Sequence, residues 1–184
     1  MKTLILALPR TGSTSLFKQM VHETKALGIF NPYQENKNIK TEIPWDTTMP
    51  LIVKQNIIYP RELDVRDRTD FYIKFAAKFD KVRYIYREDI VAHAESFAWM
   101  NLNNEHKRFL EDREGFTSDQ KYIMKSHDIP KEQMEWALSE LYAHDLILRR
   151  VCAKLGGKLE AYEDLFDVWG PGRYRQIQEE GRLI

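Results

Sequence analysis

The residues best suited to chemistry lie in one short stretch, Arg10-Thr11-Gly12-Ser13-Thr14-Ser15. Arginine is a permanent cation, glycine lets the backbone turn tightly, and the hydroxyls can donate hydrogen bonds. If a helix starts here, its free N–H groups and the positive end of its dipole converge on one spot, as an anion site requires. A bare Pro-Gly turn before a capped helix is the plainer reading. The stretch also falls short of G-x-x-x-x-G-K-[ST], because the first Gly and the Lys are missing. Two further cations, Lys54 and Arg87, could join such a site, with Ser96 nine residues after Arg87. These groups neutralise and orient phosphate.

The elements around the loop must place it at the end of a strand. Leu4, Ile5, Leu6 and Leu8 form an apolar run that fits a strand covered on both faces, and Pro9 ends it. Residues 3–8 are thus the expected central strand. Ser13 or Thr14 should cap a helix over 15–27, with Gly28 stopping it. Residues 29–50 read as irregular. Leu51-Ile52-Val53-Lys54 is a second strand, with Gln55 and Asn56 at its end. A helix should start at Thr69 or Asp70 and carry Phe71, Tyr72, Phe75, Ala76 and Phe79 into the core. Val82 to Tyr86 is a third strand, and Asp89 caps the helix behind it. Residues 103–131 are charged and weakly periodic, which suits solvated surface, short helices or a lid. Pro130 starts the longest helix, which Gly156-Gly157 ends, and Lys158 to Tyr162 forms a fourth strand. The tail from Trp169 to Arg175 is turn-rich and basic. This alternation predicts one α/β domain over 1–184: three layers, a mostly parallel sheet and helices on both faces.

Bulk composition narrows the function. Lys plus Arg and Asp plus Glu both number 28 among 184 residues. Zero formal charge argues against a general nucleic-acid or membrane-surface binder, so phosphate recognition must be local. One cysteine, Cys152, rules out an intrachain disulfide and fits a reducing compartment. The first residues do not read as a signal peptide, and no segment approaches a membrane span, so a cytoplasmic location is expected. No His/Cys/Asp cluster has metal-ligand spacing.

Leu8-Pro-Arg-Thr-Gly-Ser-Thr-Ser-Leu16 resembles the 5′-phosphosulfate loop of sulfotransferases that use 3′-phosphoadenosine 5′-phosphosulfate. Tyr84-Ile-Tyr-Arg-Glu-Asp-Ile-Val-Ala-His-Ala-Glu-Ser96 resembles the family's 3′-phosphate segment, a strand ending in Arg before a helix carrying Ser. In spacing it is closest to bacterial trehalose-type sulfotransferases. Tyr162-Glu163-Asp164-Leu165 is similar to a late Tyr-Glu-[Asp/Glu]-Leu segment. The resemblance implies a P-loop-NTPase-like fold with Arg10 to Ser15, Arg87, Ser96 and Tyr162 on the donor. There are departures. Asn56 stands where many members have a catalytic His, and Ser15 where many have an adenine-stacking Trp. No Arg-Lys-Gly segment is recognisable near the end, where Arg173 and Arg175 are the available cations. The chain is short for the family, so its acceptor-binding parts are expected to be reduced or supplied by a second subunit.

The resulting expectation is transfer of SO₃ to a hydroxyl or amine of a small-molecule or carbohydrate acceptor, leaving adenosine 3′,5′-bisphosphate, without metal. Arg10 and the loop N–H groups would stabilise charge growing on the leaving phosphate, with Lys54 adding to them. Glu35, seven residues past Gly28, is the expected base, as the trehalose-type resemblance implies. His93 is the fallback, with an ordinary histidine pKa suited to that work. The alternatives are a small P-loop-like metabolite kinase using ATP and Mg²⁺, or a catalytically inactive phosphonucleotide-binding protein.

Overall fold

The structure, a computed structural model, describes residues 1–33, 41–57, 64–111 and 129–166. Five strands form one sheet in the order β2-β3-β1-β4-β5, and every neighbouring pair is parallel. They are β1 (Lys2–Ala7), β2 (Leu27–Phe30), β3 (Leu51–Asn56), β4 (Lys81–Tyr86) and β5 (Leu159–Ala161). Helices α1 (Ser13–Thr24), α2 (Val65–Ala76), α3 (Ile90–Glu111), α4 (Lys131–Lys154) and α5 (Tyr162–Phe166) fill the connections. As expected, β1 is central. Its register runs Leu4↔Val53 on one side and Leu4↔Val82 on the other.

Period-two alternation divides β1 between two cores. Leu4, Leu6 and Leu8 point to the face covered by α2 and α4, with Tyr72, Phe75, Ile147, Leu148 and Val151. Ile5 and Ala7 point to the opposite face, under Leu16 and Phe17 of α1. Helices therefore lie on both faces of an α/β sheet. The third helix is one layer further out. Its Ala94, Phe97 and Ala98 pack on Ala137 and Leu141 of α4.

Four boundaries differ from the sequence reading. Helix α1 begins at Ser13, capped by Gly12 at φ 64° with no side-chain cap, so neither Ser13 nor Thr14 performs that role. It also stops at Thr24, with Lys25 at φ 50°. Gly28 does not end it but sits in β2, where a Cβ would come within 2.9 Å of Phe17 and Val21. Helix α2 begins four residues before Thr69, because the Asp64 carboxylate accepts from the Asp67 N–H at 2.8 Å. Finally, α3 runs on to Glu111 through a stretch read as surface. Residues 112–128 and the basic tail, with Arg173 and Arg175, lie outside the described residues.

The long helix ends as its glycines foretell. Gly157 N–H donates to Cys152 O at 2.9 Å and Gly156 N–H to Ala153 O at 3.3 Å, with Gly156 at φ 65°. That is a Schellman turn. Gly157 also lies against Tyr84, which is 2% exposed, and an added Cβ would overlap Cε2 and stand 2.9 Å from Cδ2. We expect Gly157→Ala to lose about 1–3 kcal/mol, the usual cost of overpacking a closed core. Urea denaturation should register this as a lower midpoint with an unchanged slope.

Candidate functional site

Parallel pairing brings all five strand ends to one edge of the sheet. The helix after β1 covers one face, while α4, on the way from β4 to β5, covers the other. Adjacent strands whose connections leave to opposite faces open a crevice at their carboxyl ends, the usual ligand position in such sheets. The strand order puts the expected position of such a crevice at the ends of β1 and β4.

The loop after β1 is tied at each step. Leu8 N–H donates to Ile85 O at 3.1 Å, continuing the sheet one residue past β1. The Thr11 hydroxyl donates back to Leu8 O at 2.7 Å and is fully buried. The hydroxyl therefore ties the loop back to the strand end. Arg10 is exposed and left-handed at φ 63°, and its Nε donates to the Ser96 hydroxyl at 3.1 Å. Gly12 O accepts from Ser15 N–H at 2.9 Å and Leu16 N–H at 3.2 Å. Among the described residues, the amides of Gly12, Ser13 and Thr14 find no backbone acceptor. Thr14 is exposed, Ser15 half-buried and Ser13 buried. Together these make a turn at a helix N-terminus, with one arginine beside it, of the kind that can receive an anion.

The β4 end supplies a second cation. The Arg87 guanidinium lies 5.1 Å from the Tyr162 ring, and its Nε is 3.6 Å from a Glu163 oxygen. That separation is an ion pair too long for a hydrogen bond, and Nε is buried with no hydrogen-bond partner. The other Glu163 oxygen accepts from Glu88 N–H at 3.1 Å. Sequence reasoning quoted Glu163 within its motif but gave it no role. It faces Arg87 at the strand end and is itself tied to the Glu88 N–H.

Lys54 sits on the α1 face of β3 and is 2% exposed. Its ammonium lies 4.3 Å from the centre of the Phe30 ring, which in turn packs on Phe17 of α1. Burial lowers its pKa to about 7, so it is only partly charged at neutral pH. Phe30 went unnoticed because β2 was read as irregular. Gln55, on the other face, clamps the chain after β2: it accepts from Tyr33 N–H at 3.1 Å and donates to Tyr33 O at 3.0 Å.

His93 is not placed as a free base. It is fully buried, bonded to the Pro9 carbonyl, and its pKa is lowered, first by burial. Glu35 lies outside the described residues. The structure thus brings Arg10, Ser96, Arg87, Tyr162 and the α1 N-terminus to one edge of the sheet, with Lys54 near the end of β3. Among the described residues, no group of three or more His, Cys, Asp or Glu is placed to hold a metal, and no helix is long and apolar enough to cross a membrane. Compared with protein-family models, curated proteins and solved structures, the chain matches none.

Proposed function

We propose that this protein is a sulfotransferase of P-loop-like fold that moves a sulfuryl group from 3′-phosphoadenosine 5′-phosphosulfate to a hydroxyl or amine. The supporting observation is the hydrogen bond from Arg10 to Ser96, which joins the two phosphate-type segments across the crevice. The 5′-phosphosulfate would lie on the amides of 12–14 beside Arg10, and the 3′-phosphate between Ser96 and Arg87. The reaction breaks the bond between sulfur and the bridging phosphate oxygen and forms one from sulfur to the acceptor atom. Both electrons of the broken bond leave on the phosphate, where Arg10 and the amides stabilise them. The acceptor's proton passes to a base, a role we assign to Glu35.

A thermal-shift panel tests the donor. Adenosine 3′,5′-bisphosphate should raise the melting temperature without metal, because a ligand that binds only the folded state stabilises it. Stabilisation by ATP with Mg²⁺ but not by the bisphosphate would replace this reading with the kinase. Arg87→Ala then separates the two phosphates. Loss of a charge-assisted contact, about 1.5–3 kcal/mol, should fall on the bisphosphate and leave adenosine 5′-phosphate almost unchanged. Equal loss for both ligands, by calorimetric titration, would remove Arg87 from the 3′-phosphate site.

A further inference from the structure

His93 lies in the first turn of α3 with 0% exposure. Its Nε2 is 2.5 Å from the Pro9 carbonyl oxygen, 84 positions earlier in the chain. A carbonyl only accepts, so Nε2 must carry the hydrogen. The other nitrogen, Nδ1, is buried without a hydrogen-bond partner. A proton there would be a buried donor with nothing to receive it, so the neutral Nε2–H tautomer is the form that fits. Charged groups face the ring from three elements. Arg87 at the end of β4 opposes a second proton, Glu163 on α5 and Asp145 on α4 favour one, and burial outweighs both carboxylates.

The place of this bond in the loop gives it meaning. Leu8 is held by the sheet and Gly12 caps α1, so the turn between them decides where Arg10 points. A left-handed backbone is unfavourable for any residue with a Cβ, and it persists where surrounding contacts over-determine it. The Pro9 carbonyl immediately precedes the left-handed Arg10. The same helix that carries His93 carries Ser96, the acceptor for the Arg10 Nε–H.

We infer that His93 is the positioning residue of the anion loop. Its neutral Nε2–H clamps the Pro9 carbonyl and so holds Arg10 in the left-handed turn from which the guanidinium meets Ser96. It takes no proton from the acceptor. The clamp stands on the loop's own contacts; only the identity of the anion rests on the donor proposed above.

Nitrogen NMR of His93 in the unmodified chain gives the first test. The expected signature is a neutral ring with Nε2–H, retained at pH values where an ordinary histidine has become charged. An Nδ1–H tautomer would overturn the inference, and because the wild-type chain is used, this holds even where a variant fails to fold. The second test compares His93→Gln, which keeps a side-chain N–H donor, with His93→Phe, which keeps a buried ring without one. Amide exchange of Ser15 and Leu16, whose N–H groups bond Gly12 O, should quicken about tenfold without ligand in His93→Phe and stay near wild type in His93→Gln. Affinity for adenosine 3′,5′-bisphosphate should follow the same order. Unaltered loop exchange in a folded His93→Phe would sink the clamp. If the wild-type chain bound no bisphosphate while exchange followed the expected order, the donor reading would fail and the clamp would stand.

Discussion

Arg10→Gly should leave the protein folded, and about 1 kcal/mol more stable, while slowing donor turnover by about 10²–10³-fold. The two effects share one cause. Arg10 occupies a left-handed conformation at φ 63°, which glycine adopts without the Cβ clash. Its guanidinium is exposed, so deleting it opens no cavity in the core. On the proposed reaction, what is lost is a preorganised donor beside the phosphate whose charge would grow as the bond to sulfur breaks. A strained residue kept where it carries function is the pattern expected of such a site. Release of adenosine 3′,5′-bisphosphate, followed over a panel of hydroxyl and amine acceptors, measures the first effect, and urea denaturation the second. Full turnover in a stabilised Arg10→Gly chain would leave the left-handed arginine without a catalytic purpose.

The second large effect is expected at Lys54. Its folded pKa is about 7 against an ordinary 10.5, lowered by burial. Between those values the unfolded chain holds more protons than the folded one, so stability rises with pH across that window. At and below neutrality the ammonium is retained at a cost on the order of a few kcal/mol. Lys54→Met keeps length and apolar contact with Phe30 and removes the charge. The variant should be more stable at pH 7, and the wild-type rise in melting temperature between pH 7 and 9 should flatten in it. Binding changes in the opposite sense. An anion near the ammonium favours its protonated form, so bisphosphate binding should take up a proton. Affinity should then fall above pH 7 by up to about tenfold per unit. Titration calorimetry in buffers of different ionisation enthalpy counts that proton. Lys54→Met should bind more weakly and take up none. Unchanged proton uptake in Lys54→Met would place the linkage on another group.

Long apolar runs and glycine punctuation made most of this fold legible. Leu4 to Leu8, Leu51 to Val53 and the Gly156-Gly157 pair each had one good structural reading, and each is found there. The missed strand shows where local reasoning stopped. Leu27-Gly28-Ile29-Phe30 is a four-residue strand, too short for alternation to speak, and its glycine resembles a helix stop. The glycine serves a tertiary need, since Phe17 and Val21 occupy the space a side chain would take. No nearby residue announces that contact. The start of α2 was readable, by contrast, in the Asp64-x-x-Asp67 spacing, but the denser aromatic stripe beyond it drew the boundary later.

The candidate site divides in the same way. The cations and hydroxyls could be read because their chemistry is intrinsic to the residue type. Their states could not, because burial sets them. Lys54 and His93 are polar residues in strand and helix segments whose apolar neighbours gave no hint of their 2% and 0% exposure. Thr11 turned inward for the same reason, its hydroxyl donating to Leu8 O.

The span from Arg10 to Ser96 covers 86 positions, and β1 finds both its strand partners later in the chain. During synthesis the loop after β1 is therefore made long before the residue that its arginine bonds. Until α3 exists, Ser96 is not there to accept from Arg10, nor His93 to bond the Pro9 carbonyl. Contacts so distant in sequence close late, after much chain entropy has been lost. A ligand that binds only the completed crevice then has little hold on the folding rate and acts on unfolding instead, slowing the separation of its two walls.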